Sequence, residues 1–188
     1  MKELIFVTGN PKKAHYASQL TGMNMRCEKI DLPEVQSLDS CEIVRGKLHA
    51  AYQILRRPCF VEDISLQFEV LGRLPGPFIK FFVSEIGSEG CCRLLDGKSR
   101  NATARCIIGY KDGEREEYFE GVLNGKIAMN PAQGAEGFGK FGWSDIFIPD
   151  GCDGPMCTFS AEQFAEYFLK LRRYDLLKKV VDKRTPSC

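Results

Sequence analysis

The first twenty residues constrain the fold most. "LIFVTGNPKKAHYASQL", residues 4–20, runs from four consecutive apolar residues through a Thr-Gly-Asn turn straight into a helical pattern. The apolar run from Leu4 to Val7 predicts a buried strand. Asn10 is a good helix-capping residue, so a helix is expected over Pro11–Leu20. A strand that feeds a helix through so short a turn points to an α/β architecture.

Downstream the hydrophobic period keeps switching. A strand is expected over Cys27–Leu32, and a helix over Cys41–Leu55, where Ile43, Leu48, Ala51 and Leu55 recur near helical spacing. A third strand, Cys59–Val61, runs into Glu62 and Asp63. Beyond Phe68, "RLPGPFIKFF" reads as a Pro-Gly turn and a helix start, and Gly87–Leu95 as a helix. The stretch Ala102–Tyr110 and the residues after it suggest a β-meander turning at Asp112-Gly113 and again at Asn124-Gly125, which would form a second lobe. Asn130–Gly142 is rich in glycine and reads as a long loop, and Ser160–Val181 as a final helical segment. No repeat or low-complexity linker interrupts the 188 residues, 44% of them apolar, so one domain over residues 1–188 is expected.

Charge excludes several functions. Twenty-six basic residues against 25 acidic ones leave a net charge of +1, so no global field draws in nucleic acid or an anionic membrane. The apolar runs are too short to span a bilayer and the N-terminus lacks a signal-peptide pattern, which makes the cytoplasm the expected location. Nine cysteines, an odd number without a repeated C-x-x-C spacing, are expected to stay reduced. His15 and His49 have no metal-ligand spacing to them.

Any anion must then meet a local cluster. At a strand–turn–helix junction several backbone N–H groups point outward unpaired, and the helix dipole adds positive charge, so phosphate binds readily there. Lys12 and Lys13 would add cations, and Thr8 and Asn10 polar donors. The turn matches neither the P-loop nor the dinucleotide-binding glycine pattern. An ordinary capped helix with solvated lysines is the competing reading. A second cluster shifts the balance: "DLPEVQ" supplies Asp31, Glu34 and Gln36, and "FVEDISL" supplies adjacent Glu62 and Asp63 within an apolar run. Carboxylates at strand ends suit Mg²⁺ bridging to substrate phosphates, and mutual repulsion in a close pair raises one pKa.

With both clusters in view, the chain resembles the inosine triphosphatase (Ham1-like) family of nucleoside triphosphate pyrophosphatases. "FVTGNPKK", "DLPEVQ", "VEDISL", "LPGPFIKFF" and "FGWSDIFIPDG" are similar to that family's motifs and keep their order from Ile5 to Thr158. The resemblance implies a two-lobed α/β fold with a mixed central β-sheet flanked by helices and the active-site cleft between the lobes. It also implies a homodimer that converts ITP, dITP and XTP to the monophosphate and pyrophosphate with Mg²⁺ or Mn²⁺. By the same resemblance Thr8, Asn10, Lys13 and Lys47 hold the triphosphate. Glu34, Glu62 and Asp63 serve the metal, and Asp63 also activates the attacking water with Lys13 beside it. Phe141, Gly142 and Trp143 line the base pocket, and Arg173 keeps a substrate contact.

The departures from the family pattern are specific. Tyr16 stands where the first motif has Glu, and Ser144 where Asp follows Trp. The family's E-K-N and S-H-R segments fall on Glu166-Tyr167-Phe168 and Leu171-Arg172-Arg173. Arg172, Lys170 or Asp145 are expected to replace the lost base contacts. A second reading is a diverged member that binds nucleotide with little turnover. A third, a Maf-type pyrophosphatase, is disfavoured by "LPGP" and "FGW".

Overall fold

The computed structural model of the chain describes residues 3–134 and 142–183. Among the described residues, five α-helices and a seven-stranded mixed sheet make up the fold. The strand order is β2 (Met25–Glu28), β1 (Leu4–Val7), β3 (Cys59–Phe68), β5 (Asn101–Lys111), β6 (Glu116–Ile127), β7 (Phe147–Pro149), with β4 (Pro75–Gly76) paired to β3. The chain divides into two compact units, the first made of residues 1–63, 106–121 and 172–188, the second of residues 64–105 and 122–171.

In the first unit the opening motif folds as its sequence dictates. Strand β1 (Leu4–Val7) is buried throughout, and helix α1 (Pro11–Thr21) begins one turn later, capped by Asn10 and closed by Gly22 in the left-handed region. Strand β2 covers Met25–Glu28 rather than Cys27–Leu32, because its register is set by parallel pairing with β1, Leu4 opposite Met25 and Val7 opposite Glu28. Helix α2 (Ser40–Leu55) is capped by Asp39, which accepts from the Cys41 N–H at 2.8 Å.

Strand β3 (Cys59–Phe68) is longer than its apolar start suggests, so Glu62 and Asp63 lie within it. It pairs parallel with β1, Ile5 opposite Cys59 and Phe6 opposite Phe60. Side chains alternate across a strand. Accordingly Cys59 and Val61 join Ile5, Val7, Ile107 and the α2 residues Val44, Leu48 and Ala51 in one apolar cluster, whereas Phe60 stacks on Phe6 at 4.2 Å and meets Tyr174 edge-on at 6.2 Å. A Cβ at Gly109 would lie 2.7 Å from Val44, so glycine is what lets α2 sit close to the sheet.

The final helical segment is two helices, α4 (Ala161–Arg172) and α5 (Tyr174–Asp182), separated by Arg173 at φ 45°. Lys178 on α5 donates to the Thr21 carbonyl at the end of α1, at 2.9 Å.

In the second unit β4 (Pro75–Gly76) pairs antiparallel with β3 after a cis Leu74–Pro75 bond, and α3 (Ile79–Arg93) follows, with Gly87 at φ 69° inside it. Strands β5 (Asn101–Lys111) and β6 (Glu116–Ile127) run through both units: they turn at Asp112-Gly113 as expected, but residues 106–121 belong to the first unit, so the meander does not form a second lobe by itself. The second expected turn, at Asn124-Gly125, does not exist: β6 runs through it with strict alternation of burial and pairs with β7 (Phe147–Pro149). Gly125 opposes Pro149, and a Cβ there would lie 2.2 Å from the Ile148 carbonyl oxygen. The glycine serves close strand approach rather than reversal.

The eight described cysteines are all free, and Cys188 lies outside the described residues. Among the described residues no helix is long and apolar enough to cross a membrane.

Candidate active site

The turn after β1 is held by its own polar side chains. The Asn10 N–H donates to Thr8 Oγ1 at 3.2 Å, and Asn10 Oδ1 accepts from the N–H groups of Lys12 and Lys13 at 3.1 and 3.4 Å. These contacts use acceptor oxygens, leaving the Thr8 hydroxyl hydrogen and the Asn10 amide hydrogens as donors toward a ligand. Gly9 is exposed, its φ is not left-handed, and a Cβ there would meet nothing within 4 Å. Neither backbone strain nor packing inside the chain requires that glycine.

Glu62 lies on the α1 and α5 face of the sheet. Its side chain, 2% exposed, pairs with Lys13 Nζ at 3.0 Å and with Arg172 Nε at 3.6 Å, and accepts from the Tyr174 hydroxyl at 2.7 Å. Burial pushes its pKa upward, but the two cations and the phenol outweigh that and hold it at about 2.

Asp63, one residue on, faces α2. Its Oδ1 is 3.5 Å from Lys47 Nζ, and Lys47 also reaches Glu34 Oε1 at 2.9 Å, so one ammonium is shared by two carboxylates. Burial raises the Asp63 pKa above the usual 3.8, against Lys47 and a hydrogen bond with Ser40. The cause is therefore desolvation and not the mutual repulsion that adjacency suggested: strand alternation sends the two carboxylates to opposite faces. Asp63 Oδ2 is buried without a hydrogen-bond partner.

Glu34, Glu62 and Asp63 are not gathered as one cluster, and among the described residues no three His, Cys, Asp or Glu side chains are placed to hold a metal together. The oxygen donors of Asp63 and Glu34 nevertheless fit a hard divalent cation in chemistry, and Asp63 Oδ2 has an unused lone pair for one. Asp31 and Gln36 are exposed.

The remaining expected residues that are described have surroundings of their own. Arg173 binds Asp175 through two nitrogens, at 3.0 and 3.2 Å, and does not join the Lys13–Glu62 group. Gly142, at φ 55°, and Trp143, edge-on to Phe147 at 5.4 Å, belong to the second unit, and Phe141 lies outside the described residues. Also in the second unit, Asp145 has a buried Oδ1 without a hydrogen-bond partner and Lys170 lies 5.5 Å above the Tyr167 ring.

A profile of the Ham1 family matches residues 4–170. The chain belongs to the Ham1 family. It is 39% identical over 155 residues to the inosine triphosphate pyrophosphatase 2 of Trypanosoma cruzi, covering 80% of this chain and 77% of that one. It is 32% identical over 194 residues to the inosine triphosphate pyrophosphatase of Puccinia graminis f. sp. tritici, covering 97% and 98%. Its fold matches that of the Staphylococcus aureus Ham1 protein with a TM-score of 0.79, at 20% identity and over 98% of this chain and all of the other. Within this Ham1 chain, sequence reasoning missed Tyr174 and Ser40 as partners of the carboxylates and did not foresee the pairing of Arg172 with Glu62. The one signal available was the placing of Arg172 where the family has a polar pair.

Proposed function

We propose that this chain hydrolyses non-standard purine nucleoside triphosphates, ITP, dITP and XTP, to the monophosphate and pyrophosphate. The observation that carries the reading is Asp63: a buried carboxylate with an unused oxygen and a raised pKa, held beside a shared lysine. Such a group accepts a proton from water better than a solvated aspartate does. The Ham1 membership and the printed names of the curated relatives supply the substrate class.

In this reading Thr8, Asn10, Lys13 and Lys47 take the triphosphate oxygens, with Gly9 leaving room for their close approach. Water attacks the α-phosphorus in line, Asp63 takes its proton, and pyrophosphate leaves toward the lysines. Asp63 and Glu34 would hold Mg²⁺, or Mn²⁺; the resemblance also assigns Glu62 to the metal, whereas here Glu62 pairs with Lys13, Arg172 and Tyr174. When bound, the metal supplies neutralisation of phosphate charge. Base recognition by Phe141, Gly142 and Trp143 and the substrate contact of Arg173 rest on the same resemblance. So does the homodimer, which light scattering tests; the cytoplasmic location rests on the short apolar runs and the N-terminal pattern, and cell fractionation tests it.

The deciding experiment is pyrophosphate release from ITP, XTP, dITP, GTP and ATP with Mg²⁺, beside Asp63→Asn. Turnover of ITP or XTP above GTP and ATP, reduced about 10²–10⁴-fold in the variant, supports the reading. No release above the variant's background overturns it in favour of a nucleotide-binding relic.

A further inference from the structure

A buried carboxylate must stay compensated at every stage of a reaction, because stripping its only partner leaves an uncompensated charge in a poorly solvated place. Glu62 has two cationic partners on unequal terms. The Lys13 side chain is 26% exposed and sits at the outer side, whereas that of Arg172 is 6% exposed. Lys13 is also the cation that follows the open turn at Thr8–Asn10, in the first turn of α1.

We propose that Arg172 is a positioning residue that remains on Glu62 so that Lys13 can leave the carboxylate for a polyphosphate. The inference rests on the phosphate role given to Lys13 above. In the free protein Lys13 is parked on Glu62. When an anion arrives, Lys13 exchanges one negative partner for another, and Glu62 keeps the guanidinium of Arg172 and the hydroxyl of Tyr174. Without Arg172, moving Lys13 would leave the buried charge of Glu62 with no cation and only the neutral Tyr174 hydroxyl, so Lys13 would stay where it is. Arg172 therefore acts on phosphate binding through Glu62 and without touching the phosphate. The break between α4 and α5 makes this possible, since it directs two residues on either side of Arg173 to the same carboxylate.

The test is calorimetric binding of inorganic tripolyphosphate, with chelator present so that no metal contributes. Lys13→Met is measured first: if it leaves binding unchanged, the phosphate role of Lys13 fails, and this proposal with it. If Lys13→Met weakens binding, Arg172→Met is expected to weaken it roughly tenfold, the size of an ordinary coupling between sites. The double variant Arg172→Met/Glu62→Gln is expected to recover the affinity, because a neutral amide no longer holds Lys13. An unchanged affinity in Arg172→Met, or a double variant that stays as weak as the single one, would overturn the proposal while leaving the phosphate site intact. Should Arg172→Met fail to fold, Glu62→Gln and Arg172→Met/Glu62→Gln are compared directly. Equal affinities are expected, and a tenfold loss in the double variant would mean that Arg172 contacts phosphate itself.

Discussion

Tyr174 donates its phenolic hydrogen to Glu62 Oε2 at 2.7 Å, joining residues 112 positions apart. Both groups are buried, so neither finds water as an alternative partner. Tyr174→Phe keeps the ring that meets Phe60 and removes only the donor. The expected cost is about 1–3 kcal/mol in chemical denaturation. A loss under about 0.5 kcal/mol would mean that the two cations satisfy the carboxylate unaided.

Glu62 also fixes part of the acid stability. Its folded pKa, about 2, lies below the ordinary 4.5, so the folded state binds fewer protons between those values. Its contribution is complete above the unfolded pKa and is lost as pH falls from 4.5 toward 2. Glu62→Gln should flatten the fall of stability with acid in that window, read from denaturation midpoints at several pH values. An acid slope like that of the unaltered protein would remove Glu62 from this account.

Asp63 has the opposite sign. Burial raises its folded pKa, so ionising it costs folding free energy as pH rises through that value. Activity runs the other way, because the base must be ionised to accept a proton. The acid limb of kcat/KM, which reports the free enzyme, is expected above the ordinary aspartate value of 3.8, and Lys47→Met should move it to higher pH by removing the neighbouring cation. A limb that stays in place in the kcat/KM–pH profile would show that Lys47 does not tune the base.

Gly9→Ala separates function from folding. The methyl group meets open space, so stability should hold or rise by about 0.4–1 kcal/mol through the unfolded chain. Pyrophosphate release should fall, with KM for the nucleotide raised, because the methyl group enters the space left for phosphate. Full activity would show that nothing approaches this turn closely.

Gly125→Ala should do the reverse. Its Cβ would collide with the Ile148 carbonyl across the β6–β7 pair, a backbone contact that cannot rotate away. A loss of ~1–3 kcal/mol or more in denaturation is expected. Stability close to that of the unaltered protein would mean that β7 shifts freely along β6.

The two glycines show how far a sequence can be read. Gly125 follows an asparagine in a pair that ordinarily marks a hairpin, and local chemistry alone gives no sign that another strand's carbonyl will press on it. The opening motif raises no such conflict: Leu4–Val7 and Pro11–Thr21 fold as their patterns dictate, since the cap, the proline and the apolar run agree. The Cys41–Leu55 pattern is nearly as clear and differs from α2 by one residue at its start.

By itself the sequence determined the α/β class, the capped strand–turn–helix junction and the identity of the acidic and basic residues, because each rests on periodicity or chemistry within a few neighbouring positions. Tertiary structure alone decided their partners. Glu62 and Asp63 are neighbours in sequence, yet the pleat of β3 gives one to Lys13, Arg172 and Tyr174 and the other to Lys47. Which cation meets which carboxylate depends on where α2 and the α4–α5 break fall against the sheet, and burial, a property of the assembled chain, turns those meetings into opposite pKa shifts.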